Sequence, residues 1–395
     1  MRIYTLPVII ILILGLIIDA YIYFQIKGNK NIITRILRNI HVATSIALGA
    51  FAIFLAIAPK SLWVHHVPTL TICIYSYMSI IICKLAFTII SILGLISRKS
   101  KVRHAVNYIA TALSACALGY MVYASAVTRY DIEVKNIEIS HPLVPKSFDG
   151  YRIAQFSDFH LGSLDKNSTF VKEVVDAINA QNADMIVFTG DLVNGESIEA
   201  DPFMQDLSKL HAPDGVISIL GNHDYGDYHI WNDPAEKEAD IVRMCNLQRS
   251  AGWRLLLDEA LAITRGNDSI MIIGVENIGN KSFHTYGDLR RAYKSLNDNK
   301  FKVLLSHCTY PWTDDVIPNT NIALTLSGHT HAMQTILTIF GKKYSPAARI
   351  YDQWAGLYSE GNQHIYVNIG LGCVGIPARF GARPEITIIT LKHKE

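Results

Sequence analysis

The sequence predicts an α/β domain preceded by a four-helix transmembrane region. Three observations predict it. Four apolar stretches, at about 7–25, 41–58, 69–96 and 105–128, occupy the first third of the chain. Strand-like apolar runs then alternate with helical patterns from about Tyr130 onward. Asp, Asn and His residues stand just after several of those runs.

Each apolar stretch reaches or approaches the ~20 residues that cross a bilayer. The first lacks a multiply charged leader and a small-residue cleavage site, and three more follow, so it reads as a retained helix. The loop after it holds Lys27, Lys30, Arg35 and Arg38, and the third loop holds Arg98, Lys99, Lys101 and Arg103, whereas the second holds only Lys60. Positive charge marks the cytoplasmic side. That expectation puts the large C-terminal domain on the extracytoplasmic side of the cell (inner) membrane. Asp19 and Lys84 fall inside the predicted spans, where an ion pair or a charge at a helix end is the expected arrangement.

The two parts differ in charge. Residues 1–130 carry 12 Lys and Arg against one acid, and residues 131–395 carry 24 against 33. A net-acidic domain is poorly suited to a phosphate backbone, which needs Lys and Arg to displace counterions, so no nucleic-acid partner is expected. The six cysteines have no C-x-x-C spacing and read as small buried hydrophobes.

The domain boundaries expected are 1–130 for the transmembrane region and 131–395 for the second domain. Strands are expected near 131–134, 152–156, 185–189, 216–220, 270–274, 302–306, 323–327, 365–368 and 385–391. Helices are expected at 169–181 and at 239–251, the latter stopped by Gly252. Alternation of this kind gives sheets covered by helices. Ligands in such folds gather beyond the carboxyl ends of strands, which is where the polar motifs fall. They are Asp158-Phe159-His160, Gly190-Asp191, Gly221-Asn222-His223-Asp224, Ser306-His307 and Gly328-His329-Thr330-His331.

Carboxylate oxygen and imidazole nitrogen, without thiolate, suit two divalent transition-metal ions such as manganese, iron or zinc. Two such ions can clamp both oxygens of an in-line displacement at phosphorus, and water held by them loses its proton far more easily than bulk water. That supplies hydroxide at neutral pH without a Ser or Cys nucleophile. Any one of these residues alone reads as a structural histidine or a turn residue; five blocks together point to a binuclear phosphoesterase centre.

These motifs resemble those of the calcineurin-like metallophosphoesterase superfamily over roughly residues 150–391. The closing segment from Tyr366 to Gly372, with Arg379-Phe380 and Arg383-Pro384-Glu385-Ile386, is similar to its YkuE-like membrane-associated branch. The resemblance implies a four-layer α/β/β/α sandwich with two facing mixed sheets. It implies that Asp158, His160 and His331 hold one metal, that Asn222, His307 and His329 hold the other, and that Asp191 bridges them. It also implies that His223 contacts the phosphate or protonates the leaving oxygen, with Asp224 orienting His223 by a hydrogen bond. Relatives often place two glycines after the last histidine pair; this chain has Ala332-Met333.

Arg379 and Arg383 read equally as phosphate contacts or as salt-bridge and surface residues. The run 335–340 reads as a buried strand, with a lipid-facing segment as the alternative. The expected activity is hydrolysis of a P–O bond in a phosphodiester, phosphomonoester or pyrophosphate, with a phosphate-ester substrate that is lipid-linked or otherwise at the membrane. The competing readings are a non-catalytic membrane receptor or scaffold and a cytoplasm-facing lipid-nucleotide pyrophosphatase. Loss of metal ligands would mark the scaffold, and none is lost here.

Overall fold

The computed structural model describes residues 5–27, 32–57, 67–280, 283–295 and 298–395. The chain divides into two compact units, Met1–Tyr123 and Ala124–Glu395.

The first unit is helical: α1 (Thr5–Lys27), α2 (Ile32–Ile57), α3 (Val67–Gly94) and α4 (Ser100–Ala126). Among the described residues, three segments are long and apolar enough to cross a membrane: Thr34–Leu55, Pro68–Gly94 and Ser100–Tyr130. The first expected span, 7–25, forms the helix α1 but is not among these three. Large aliphatic side chains such as Ile46, Ile89 and Leu113 are exposed on the helices, as a lipid-facing surface requires. Lys84 Nζ lies 2.7 Å from Asp19 Oδ1 and 3.2 Å from Ser45 Oγ, so the two charges are a pair. Lys30 and Lys60, used above for orientation, lie outside the described residues.

The second unit is the expected sandwich. One six-stranded sheet runs β1 (Glu133–His141), β14 (Glu385–His393), β2 (Arg152–Phe156), β3 (Met185–Phe188), β4 (Val216–Ser218) and β5 (Arg254–Leu255). Only the β14–β2 pairing is antiparallel. The other sheet runs β12 (Gly356–Glu360), β13 (Gln363–Val367), β9 (Leu324–Ser327), β8 (Lys302–Leu305), β7 (Asp268–Gly274) and β6 (Glu259–Arg265), parallel except at its two outer pairs. Alternate side chains decide the layers. Ile153, Met185, Val187 and Ile217 of the first sheet pack against Ile270, Ile272, Val303 and Leu324 of the second.

The opposite face of the first sheet offers Ala154, Phe156, Ile186 and Phe188 to α5 (Phe170–Asn179) and α6 (Pro234–Ser250). Helix α5 buries Phe170, Val171, Val174, Val175 and Ile178 there, each contributing about 1.5–3 kcal/mol. Helix α6 starts earlier than expected because Asp233 caps Ala235 N and Pro234 takes the first turn. Trp312, Val316 and Leu289 cover the outer face of the second sheet. The unit begins before residue 131 because the Tyr130 ring packs on Phe170 at 5.3 Å and Arg129 Nη2 donates to Ser163 O at 2.5 Å. Its four apolar clusters are drawn from residues 132–391. Residues 124–395 expressed alone are therefore expected to unfold in one cooperative thermal transition; failure to fold would make the helical unit a structural partner.

The run 335–340 is not a buried strand. It enters a hairpin of β10 (Leu337–Ile339) and β11 (Lys342–Tyr344), and all six strand residues are exposed. Phe340 and Gly341 form the turn with φ of 49° and 77°, the double left-handed geometry of a two-residue hairpin loop.

Candidate metal centre

Each predicted ligand stands just past the carboxyl end of a parallel strand. Asp158 and His160 follow β2, Asp191 follows β3, and Asn222, His223 and Asp224 follow β4; His307 follows β8, and His329 and His331 follow β9. The backbone there is strained. Asp158, His160, Asp191, His329 and His331 have φ of 51°, 47°, 62°, 72° and 49°, a region that costs an L-residue roughly 1–2 kcal/mol. Ala332 and Met333 continue it at 49° and 46°, a conformation that glycine adopts freely. Close approach fixes two more glycines. A Cβ on Gly190 would lie 2.5 Å from Gly221 N, and one on Gly328 would lie 2.1 Å from Ser157 Oγ.

The strands bring all seven predicted ligands together. Asp158, His160 and His331 form one group whose ligand atoms lie within 4.8 Å of one another, and Asp191, His307 and His329 form another. His331 Nε2 is 3.1 Å from Asp158 Oδ1 and 2.9 Å from His160 Nε2. His307 Nε2 is 3.1 Å from Asp191 Oδ2, and Asn222 Oδ1 is 2.9 Å from His329 Nδ1. Asp191 Oδ2 also lies 3.6 Å from His160 Nε2, which joins the two groups. His160, Asp191 and His223 make a third group of the same compactness.

The donor set fits divalent metal. His307 Nδ1 lies 2.8 Å from Thr189 O, a bond that leaves its Nε2 free to act as a ligand toward Asp191. Nδ1 of His160 and of His331 is buried with no hydrogen-bond partner. Burial alone would raise the Asp158 and Asp191 carboxyls, but the His331 and His307 rings beside them hold both well below the usual range. Burial and then the neighbouring imidazoles push His160 down, and His329 is pushed down to about 3. Burial opposes protonation of His307, yet the Asp191 carboxylate raises it to about 9. The ionised carboxylates and the neutral His160 and His329 are in the states that accept a cation, and the proton that Asp191 favours on His307 is one that a bound cation would displace.

His223 sits at the edge of this cluster, half-buried. Its backbone N–H donates to Asp191 Oδ1 at 2.8 Å, and its ring edge meets His160. The hydrogen bond expected from Asp224 to His223 is replaced by another arrangement. His223 Nδ1 lies 2.7 Å from Asn194 O. The Asp224 carboxylate instead accepts backbone N–H groups of Asp191, Leu192, Val193 and Gly221 at 2.8–3.3 Å. Asp224 thus holds the Asp191 loop, and Asn194 orients the imidazole. Tyr228 was not singled out in the sequence; it stacks on His223 at 4.1 Å and receives a hydrogen bond from Asn222 Nδ2. Tyr351, also missed, has its phenol 3.3 Å from His329 Nε2.

The two arginines are satisfied elsewhere. Arg379 is fully buried, and its guanidinium donates to the carbonyls of Ile369, Gly372 and Ala382. Arg383 pairs with Asp131 at 2.7 Å. Gly372 N in turn donates to Asp158 O, so Arg379 stiffens the loop behind Asp158. Arg379→Met is expected to leave three buried carbonyls unpaired and cost roughly 3 kcal/mol or more, read as a lowered urea midpoint.

A sandwich of two facing mixed sheets with His/Asp groups able to hold metal at its strand ends is the architecture of metallophosphoesterases. Residues 151–333 match the family described as calcineurin-like phosphoesterase. The chain is 34% identical over 293 residues to the uncharacterized metallophosphoesterase YkuE of Bacillus subtilis, covering 71% of this chain and 94% of that one. It is 28% identical to a transmembrane protein with metallophosphoesterase domain of Danio rerio, over 66% of this chain and 57% of that one. It is 26% identical to a UDP-2,3-diacylglucosamine pyrophosphatase of Chlamydia trachomatis, over 62% of this chain and 86% of that one. The chain belongs to the calcineurin-like phosphoesterase family, which makes it a phosphoester hydrolase by class.

Proposed function

We propose that the protein is a membrane-anchored, binuclear-metal phosphoesterase acting on a phosphate ester carried in or near the membrane. The observation that carries this reading is the convergence of Asp158, His160 and His331 with Asp191, His307 and His329, joined through Asp191. Asn222 completes the second group through its Oδ1 beside His329. Two divalent ions there would neutralise phosphate charge and lower the pKa of water. The protein's own residues do the rest. Asp191 is shared between the groups, Asp224 fixes the Asp191 loop, and Asn194 holds His223 with Nε2 as its proton-carrying atom for the leaving oxygen.

A lipid-linked pyrophosphate is the favoured bond class. It is supported by the membrane-crossing helices and by a relative named for a pyrophosphate on a diacylated sugar nucleotide. We place the catalytic unit on the extracytoplasmic face of the inner membrane, from the loop charges; a reporter fused to the C-terminus reads the side directly. Purified full-length protein is expected to contain near two transition-metal ions per chain and to hydrolyse bis(p-nitrophenyl) phosphate. A metal-free chain, inactive after manganese or zinc addition, would favour the scaffold reading.

A further inference from the structure

We propose that the hairpin Leu337–Tyr344 is a second membrane contact, which seats the catalytic unit on a lipid surface beside its metal centre. Cross-strand pairing sorts its side chains. Leu337 faces Tyr344 and Ile339 faces Lys342 on one side, and Thr338 faces Lys343 on the other. The apolar side is uncovered, and Phe340 at the turn is 102% exposed. An isolated two-stranded hairpin is marginal in water, and an uncovered apolar face marks a binding surface.

The occupant follows from where the hairpin is rooted. Ser125 Oγ, near the end of the membrane-crossing helix α4, donates to Pro377 O, and Arg379 N donates to Ala124 O. Phe380, the next residue, exchanges backbone hydrogen bonds with Gln334 and Ile336, immediately before β10. Within the second unit the hairpin is therefore rooted beside residues 124 and 125, the last turn of a helix apolar enough to cross a membrane. Ile376, next to Pro377, is exposed as well. An aromatic tip and aliphatic side chains flanked by Lys342 and Lys343 fit the apolar boundary and anionic headgroups of a bilayer.

The same segment frames the metal centre. It leaves from His331 and returns to Tyr351, whose phenol reaches His329, and Ser345 Oγ donates to Ala332 O on the way back. A seated hairpin would hold the segment that frames the site at the headgroup layer. That consequence rests on the metal-centre reading; the seating itself does not, and its test needs no turnover.

Full-length Phe340→Trp is reconstituted in nanodiscs of phosphatidylcholine and phosphatidylglycerol in equal parts, with the parent protein as background. The added indole is expected to emit to the blue and to be quenched by lipids brominated at shallow acyl positions. Adding Lys342→Gln with Lys343→Gln should lower the seating equilibrium constant by about fivefold per charge removed. Tyr344→Trp reads the same face should the first variant fail to fold. Water-like, unquenched emission at both positions would overturn the proposal. So would blue, unquenched emission, which would mean that protein, such as a second copy of this chain, covers the face.

Discussion

Asp191→Ala is expected to release metal from both positions and to lower phosphodiesterase activity by at least roughly 10³-fold, a barrier increase of about 4 kcal/mol. Asp191 lies within reach of ligand atoms of both groups. Its Oδ2 is 3.1 Å from His307 Nε2 and 3.6 Å from His160 Nε2. Its Oδ1 holds the His223 backbone at 2.8 Å. Removing it leaves the two metal positions with no shared carboxylate. Metal analysis beside a thermal melt separates this from unfolding. The wild type should gain about 2.7 kcal/mol when metal is at a hundred times its dissociation constant. The variant should melt as the metal-free protein does, whatever the metal concentration. Two ions per chain in Asp191→Ala would refute the bridge.

Strands were legible where burial makes a run apolar. The residues of β2, β3, β8 and β9 are buried nearly throughout, and each was expected within one residue. Strand β6 was missed because only Ile263 is buried along it, and two-residue β5 carries no period at all. The same reasoning misjudged 335–340. An apolar run signals burial only if something covers it, and the Gly341-Lys342-Lys343 that follows is the local sign of an exposed turn. The residues that converge at the site were legible because strand ends meet in this fold. Their supports were not. Asn194 acts through its carbonyl, which any residue possesses. Tyr228 and Tyr351 reach the site from loops, where spacing says nothing about direction. The Asp224 partner was misassigned for a related reason, since its acceptors are filled by four backbone N–H groups that leave no side-chain signature.

His223→Ala is expected to retain the metal and lose roughly 10²–10⁴-fold in turnover, the range of a positioned general acid. The backbone N–H that holds Asp191 survives the substitution, so the shared carboxylate keeps its place. What is lost is an imidazole aligned by Asn194 O and stacked on Tyr228. The leaving group supplies the discriminating readout. An acidic phenol departs without a proton, so the loss should be small on bis(p-nitrophenyl) phosphate and large on an alkyl ester. Because His223 also lies within ligand distance of His160 and Asp191, metal content decides the rival role. Loss of one ion per chain in His223→Ala, with equal losses on aryl and alkyl esters, would make His223 a ligand. Full metal content with losses that grow as the leaving group becomes more basic would establish it as the proton donor, with its backbone held by Asp191 and its ring by Asn194.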